Sequence, residues 1–311
     1  MKHGTVVKLD RSLPLVELDN GERVRCEHAT DLVKNGAERA VIGDGVLLYA
    51  PETHDVHVIQ EILPRRTRLV RRDPRERAAE QVMAANFDRV FVVQPINKLN
   101  FRRLERELVL AFETGAPVTV LLTKGDLLDA SDREEAVRAV NALVGSEVAV
   151  VVVSATEDAS LEEIRHLIPP SETAVLMGQS GAGKSTLINR LTSSEARRTS
   201  SVRPSDGKGR HTTVSRETVK VPGGGHIVDM PGVRGLGLWD AEVGIQAAFA
   251  DIEQLAETCR FRDCEHGAEP GCAVRAAVES GVVPPERLDS YRGLRDELRV
   301  TQVRREQQRW R

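Results

Sequence analysis

Aromatic residues are scarce in this sequence, and its apolar segments are short. Only 3% of the 311 residues are Phe, Trp or Tyr, and Tyr49 is the one aromatic residue among residues 1–66. We therefore do not expect that part to bind nucleic acid by stacking bases on a row of rings. The longest apolar run, Val148 to Val153, has strand length, far below the ~20 residues of a membrane-spanning helix. The first residues do not show the charged and then apolar pattern of a signal peptide, so we expect a cytoplasmic protein that binds no membrane.

Net charge and cysteine content are also low. A net charge of -3 excludes a polycation that binds nucleic acid indiscriminately. Arginines are concentrated in Pro64 to Arg77 and in Arg287 to Arg311, and such stretches taken alone are more often solvated surfaces than binding sites. Of the four cysteines, Cys26 is isolated and the other three cluster within residues 259–272. In a reducing compartment, that cluster favours a metal site over disulfides.

The hydrophobic pattern changes along the chain and predicts three domains. Residues 1–66 alternate short apolar segments with turns such as Asn20-Gly21, which is typical of a small all-β barrel. Residues 67–239 alternate strand-like and helix-like segments, which predicts a parallel sheet with ligands outside the carboxyl ends of its strands. Residues 240–311 are expected to be helical around the cysteine cluster.

The segment GQSGAGKS follows an apolar strand and precedes a helix-like segment, and it has the form GxxxxGK[ST]. Its glycines allow successive backbone amides to surround phosphate oxygens. Lys184 is expected to reach the β- and γ-phosphates, and Ser185 to supply a hydroxyl to Mg²⁺. The predicted nucleotide-binding residues here are Gly178, Gln179, Ser180, Gly181, Ala182, Gly183, Lys184, Ser185 and Thr186. A phosphate loop alone does not separate ATP from GTP.

Two other segments at strand ends, TKGD and SAT, predict guanine as the base. Asp126 can accept hydrogen bonds from guanine N1–H and the exocyclic amine, a donor pair that adenine does not offer. Lys124 can lie along the base, and the backbone at Ala155 can contact guanine O6. Each motif is weak alone, but both on consecutive strand ends, together with the phosphate loop, make a strong prediction. The predicted base-binding residues are Thr123, Lys124, Gly125, Asp126, Ser154 and Ala155.

The segment HIVDMPG predicts the magnesium side of the site. Asp229 is placed to hold Mg²⁺ through water, and the Gly232 amide is expected to face the γ-phosphate. Thr212 or Thr213 is expected to bind Mg²⁺ while the γ-phosphate is present, and the sequence leaves open which threonine does so. Val233 stands where many GTPases carry a water-orienting glutamine. We therefore expect slow hydrolysis until another group completes the site.

The C-terminal cluster has the spacing of a structural metal site. Three thiolates and one imidazole lie within fourteen residues, which is enough to surround a tetrahedral Zn²⁺ and leaves no open position for catalysis. The alternative is a set of free thiols beside a surface histidine. The predicted zinc ligands are Cys259, Cys264, His266 and Cys272.

The order of these motifs is permuted, since TKGD and SAT precede the phosphate loop that comes first in ordinary small GTPases. With the β-rich N-terminus and the Cys/His cluster, this order resembles the ribosome small-subunit-dependent GTPase A family over nearly the full length. The resemblance implies an OB-fold barrel, a circularly permuted P-loop GTPase domain of α/β class and a small helical zinc-binding domain. It also implies a role in late maturation of the small ribosomal subunit, with rRNA binding and subunit-stimulated hydrolysis. His211 resembles the family's proposed catalytic histidine, whereas Met230 replaces its usual Thr.

Two other functions stay open at this stage. A P-loop ATPase or kinase is the first, and TKGD argues against it. The second is a nucleotide-regulated RNA-binding adaptor without significant turnover, which Val233 keeps open. The favoured prediction is a monomeric GTP hydrolase that converts GTP to GDP and binds Mg²⁺ and one structural Zn²⁺.

Overall fold

The computed structural model describes most of the chain, namely residues 1–9, 13–34, 39–51, 56–72, 80–199, 216–230 and 237–309. The chain divides into two compact units. Unit 1 comprises residues 1–69, 82–98 and 116–234, and unit 2 comprises residues 70–81, 99–115 and 235–311. The three domain ranges expected from the sequence stay a prediction.

Unit 1 begins with a closed barrel of short strands. They are β1 (Lys2–Leu9), β2 (Leu15–Leu18), β3 (Arg23–His28), β4 (Gly45–Tyr49) and β5 (His57–Ile62), with helix α1 (Thr30–Lys34) after β3. The pairing order is β1-β2-β3-β5-β4, and a further β1–β4 pairing closes the barrel. Alternate side chains such as Val6, Val16 and Leu48 fill its core. The expected N-terminal barrel is confirmed.

The second part of unit 1 is a mostly parallel sheet. Its strands are β8 (Arg89–Pro95), β9 (Val118–Thr123), β10 (Ala149–Val153), β11 (Thr173–Met177), β12 (Arg216–Lys220) and β13 (His226–Asp229). The strands β6 (Arg68–Arg72) and β7 (Glu80–Ala85) form a separate two-stranded sheet, of which residues 70–72 and 80–81 count with unit 2. The order is β10-β9-β8-β11-β13-β12, with only β12 antiparallel. The strand β9, with sequence VTVLLT, is buried from end to end and mostly apolar, because both faces of the sheet are covered.

The barrel and the parallel sheet are joined into one continuous β-sheet. Strand β12 pairs antiparallel with β1 through Lys8↔Glu217 and Leu9↔Arg216. The Lys8 ammonium donates to the Glu217 carboxylate at 2.6 Å, which reinforces this pairing. The result is an 11-stranded sheet, a continuity that no sequence pattern predicted.

Among the residues that the structure describes in unit 1, the helices that cover this sheet are α3 (Ala130–Val144), α4 (Asp158–His166) and α5 (Lys184–Thr199). Asp129 caps α3 by accepting a hydrogen bond from the Asp132 amide. Apolar side chains of α5, including Leu187 and Leu191, are buried with Phe91 of β8 in one core cluster. This packing fixes the start of α5 against the end of the sheet.

Unit 2 is helical and includes a helix from the first half of the sequence. Its helices are α2 (Phe101–Phe112), α6 (Glu242–Ala248), α7 (Ala250–Ala256), α8 (Ala273–Glu279) and α9 (Pro285–Arg309). The Arg287 guanidinium donates to Glu105 of α2 at 2.9 Å and to Asp251 at 2.6 Å. Arg106 and Glu297 form a second ion pair at 2.7 Å between α2 and α9. Within the described ranges, each helix is too short or too polar to cross a lipid bilayer.

Candidate nucleotide-binding site and metal centre

The predicted nucleotide-binding loops all leave the sheet at one edge. Thr123 pairs in register with Val153, and Leu176 with Asp229, in parallel ladders. Parallel strands that end in register release their following loops on the same side. The segments TKGD, SAT and GQSGAGKS therefore begin close together although they are far apart in the chain.

The phosphate loop has the backbone shape that its glycines permit. Gly178 has φ 149°, and a Cβ there would lie 2.3 Å from the carbonyl oxygen of Val93 on β8. Lys184 is the first residue of α5 and is 6% exposed. Its ammonium donates to the carbonyl oxygens of Gly178 at 2.6 Å and Gln179 at 2.9 Å. The loop thus encloses a cation at the positive end of a helix, an arrangement that suits an anion such as phosphate.

A buried hydrogen bond joins the phosphate loop to the TKGD segment. The Thr123 hydroxyl donates to the carbonyl oxygen of Ala182 at 2.6 Å, and both residues are buried. Gly183 follows with φ 95°, and a Cβ added there would meet Thr123 Oγ1 at 3.5 Å. The structure therefore brings these two sequence-predicted segments into direct contact. Sequence reasoning named Thr123 but gave no reason for its hydroxyl.

The predicted base-reading residues also lie together. Ser154 is 1% exposed, and its hydroxyl donates to Asp126 Oδ1 at 2.7 Å. Asp126 itself is exposed, so its carboxylate is fixed by Ser154 through Oδ1 and remains accessible to a ligand. Lys124, directly before Gly125, has φ 62°, a left-handed conformation that is uncommon for a residue with a side chain. A strained backbone conformation of this kind, here within the TKGD segment, is typical of binding sites.

One side chain at the base-reading loop was missed by sequence reasoning. Arg190 of α5 donates from Nε to the carbonyl oxygen of Ala155 at 2.9 Å. The two residues are 35 positions apart, and no local pattern relates them. An arginine on a solvated helix face gives no signal of such a contact in the sequence.

The magnesium side of the site is described only in part. Asp229 ends β13, beside β11, which leads into the phosphate loop. Ser185 and Thr186 are exposed in the first turn of α5. The other predicted residues, His211, Thr212, Thr213 and Gly232, lie outside the described residues. Their roles stay predictions.

The four predicted metal ligands converge in unit 2. The thiol sulfurs of Cys259, Cys264 and Cys272 and a ring nitrogen of His266 all lie within 4.8 Å of one another. Cys259 Sγ is 3.9 Å from Cys272 Sγ, and His266 Nδ1 lies 3.4 Å from Cys272 Sγ. Zn–S bonds of ~2.3 Å in a tetrahedron place sulfurs about 3.8 Å apart, so the cluster fits this geometry. These residues could hold a metal ion.

Two local features prepare this cluster for a metal. Burial lowers the pKa of His266 from its ordinary value of 6.5, which favours the neutral imidazole that a metal requires. The Cys272 sulfur accepts a hydrogen bond from the Arg275 amide at 3.4 Å at the start of α8. Helix α8 therefore begins directly after a residue of this cluster.

Comparison with known proteins agrees with this arrangement. The family model described as RsgA GTPase matches residues 62–239. A relative from Methanosarcina acetivorans named "Small ribosomal subunit biogenesis GTPase RsgA" is 43% identical over 263 residues, covering 84% of this chain and 70% of its own. A relative of the same name from Streptomyces avermitilis is 41% identical over 293 residues, with coverages of 94% and 78%.

Solved structures support the same assignment. YjeQ from Thermotoga maritima matches with a TM-score of 0.68 and 26% identity, covering 96% of this chain and 98% of that one. YloQ, described as a circularly permuted GTPase, matches with a TM-score of 0.65 and 25% identity, covering 96% and 95%. The predicted fold class, including the permuted motif order, is confirmed. This chain belongs to the RsgA GTPase family and is a GTPase with a circularly permuted fold.

Proposed function

We propose that this GTPase acts in the biogenesis of the small ribosomal subunit, late in its maturation, and hydrolyses GTP fastest when bound to that subunit. The relatives from Methanosarcina and Streptomyces are named for small-subunit biogenesis, and each alignment spans more than two thirds of the relative. The hydrogen bond from Thr123 to Ala182 carries the structural side of the proposal. It holds the base-reading and phosphate-binding loops close enough to bind one nucleotide.

In this proposal each loop binds a different part of the GTP molecule. Asp126 accepts the two guanine donors, with one carboxylate oxygen also fixed by Ser154. Lys184 exchanges its present carbonyl partners for the β- and γ-phosphates, to which its charge is better matched. Ser185, Asp229 and Thr212 or Thr213 would hold Mg²⁺, which supplies charge neutralisation on the phosphates. Oxygen ligands of this kind are the ones that Mg²⁺ prefers.

The proposal for unit 2 is a structural Zn²⁺ beside a surface that binds rRNA phosphates. A cavity of about 340 Å³ lies next to the cysteine and histidine cluster, and its charged lining has more arginines than carboxylates, namely Arg262, Arg292, Arg295 and Arg299 against Asp263, Glu265 and Asp296. Arginine suits phosphate because its guanidinium donates two parallel hydrogen bonds. We also propose that the protein is a monomer in the cytoplasm and that its domains are residues 1–66, 67–239 and 240–311.

Steady-state GTP hydrolysis separates this proposal from its alternatives. We expect slow turnover of the protein alone and a rise of about 10³- to 10⁵-fold with small ribosomal subunits. Large subunits are the matched control and should give no comparable rise. ATP in excess should not compete. Equal stimulation by both subunits would contradict the small-subunit role, and no turnover under any condition would support the adaptor instead.

Replacement of His211 tests how hydrolysis is completed. Because Val233 cannot orient a water, we expect His211→Ala to bind GTP normally and to lower subunit-stimulated turnover by roughly tenfold or more. His166→Ala is the matched control, since His166 is an exposed histidine of α4. Turnover and binding of a GTP analogue are measured on the same preparations. Unchanged stimulated turnover in His211→Ala would remove this residue from the mechanism.

A further inference from the structure

The helix that follows the phosphate loop also holds the loop that reads the base. On α5, Arg190 lies beyond Lys184, and its Nε donates to the Ala155 carbonyl oxygen at 2.9 Å. Its Nη2 lies 3.3 Å from Asp158 Oδ1, at the start of α4. We propose that Arg190 is a positioning residue for guanine specificity, which fixes the backbone of Ala155 so that its amide meets guanine O6. This inference rests on the proposed binding of GTP and on the contact between the Ala155 backbone and guanine O6 that the SAT segment predicts.

The peptide group between Ala155 and Thr156 is held from both sides. Arg190 donates to the carbonyl oxygen of this peptide group, which belongs to Ala155. The amide of the same peptide group belongs to Thr156 and donates to Ser154 Oγ at 3.2 Å. A peptide group is planar, so fixing both ends fixes its orientation. The Ala155 N–H belongs to the preceding peptide plane, which is joined to this one through the φ and ψ angles of Ala155, so fixing one plane restricts the directions that the N–H can take. A donor aimed at O6 before the nucleotide arrives costs little reorganisation on binding.

The anchor for this contact is rigid. Arg190 stands between Leu187 and Leu191, which are 1% and 0% exposed in the core against the sheet. Packing therefore fixes the Arg190 backbone, and its side chain, which is 42% exposed, reaches from there to the Ala155 carbonyl oxygen. The ion pair with Asp158 contributes less, because the Asp158 side chain is 93% exposed and solvent screens the charges. The carbonyl contact is the part that bears on specificity.

Two nucleotide analogues separate positioning from general stability. In 6-thio-GDP a weaker sulfur acceptor replaces O6, while N1–H and the amine are kept. IDP keeps O6 and N1–H but has no exocyclic amine, so it reports on Asp126. For Arg190→Met, which keeps the aliphatic stem, we expect the preference for GDP over 6-thio-GDP to fall about threefold to tenfold. The preference for GDP over IDP should not change. Isothermal titration calorimetry gives all three dissociation constants.

Three further variants complete the test. Arg190→Lys keeps a cationic donor and should restore part of the preference for GDP over 6-thio-GDP. Asp158→Asn removes only the exposed ion pair and should leave that preference unchanged. Arg138→Met removes an exposed arginine of α3 and is the matched control.

Two results would overturn the inference, and they are distinguishable from each other. If Arg190→Met weakens GDP, 6-thio-GDP and IDP equally, Arg190 only stabilises the fold. If the unmodified protein binds GDP and 6-thio-GDP alike, Ala155 does not read O6, and that part of the proposed function fails as well. A selective loss in Arg190→Met with partial recovery in Arg190→Lys supports it.

Discussion

Asp126→Asn should lower the affinity for GDP by about a hundredfold to a thousandfold. The carboxylate is the only acceptor in the proposed base site that can take both N1–H and the exocyclic amine. In the variant the asparagine oxygen still accepts from N1–H, but its NH₂ group faces the guanine amine, so two donors meet. Ser154 should hold the asparagine oxygen as it holds Asp126 Oδ1, at 2.7 Å, which fixes the NH₂ group in the unfavourable place.

The same geometry predicts a gain for another base. Xanthine carries an oxygen where guanine carries its amine, so the asparagine NH₂ becomes a suitable donor. Titration calorimetry with GDP, xanthosine diphosphate and ADP should show a reversed preference between the first two, and weak ADP binding throughout. Asp132→Asn is the matched control, because Asp132 is an exposed carboxylate on α3 that should not affect any of the three affinities. Equal losses for all nucleotides would mean that Asp126 supports the fold rather than the base.

Local patterns predicted the loops because the chemistry of phosphate and guanine binding is local. The glycines of GQSGAGKS, the carboxylate of TKGD and the apolar strands before them are each visible in a few residues. Strand β8 coincides with the predicted segment RVFVVQP because a strand buried on both faces has an apolar centre, here Val90 to Val93. The Cys/His cluster was predictable for the same reason, since its ligands lie within one short segment.

Contacts between distant segments were not predictable. The β1–β12 pairing joins residues more than two hundred positions apart, through Lys8 and Glu217, and such residues are common on any exposed strand. Likewise, Glu105 and Arg106 look like ordinary charges of an amphipathic helix, yet they place α2 with the helices of unit 2. Arg190 belongs to this class, because its partner is a backbone carbonyl that carries no sequence signature.

Loss of one cysteine ligand should unfold the metal centre and the helix that begins there. In Cys272→Ser the hydroxyl is a poor substitute for a thiolate, so we expect bound zinc to fall from about one per chain to near zero. Metal binding supplies ~10–16 kcal/mol in small zinc domains, more than the local packing of such a short segment can replace. Cys272 is also the residue before α8 and accepts from the Arg275 amide. Since a serine hydroxyl can accept that hydrogen bond as an N-cap, the expected effect of Cys272→Ser comes from the lost metal ligand and not from a lost cap.

Elemental analysis and limited proteolysis measure the two consequences separately. We expect faster cleavage within residues 257–284 of Cys272→Ser, and the same change when the unmodified protein is treated with a chelator. GDP affinity should stay within about twofold, because the nucleotide-binding residues belong to unit 1. Cys26→Ala is the matched control, since this buried barrel thiol lies outside the cluster and its loss should leave the zinc content unchanged. A metal-free protein with unaltered proteolysis in chelator would show that the cluster is only a set of neighbouring thiols.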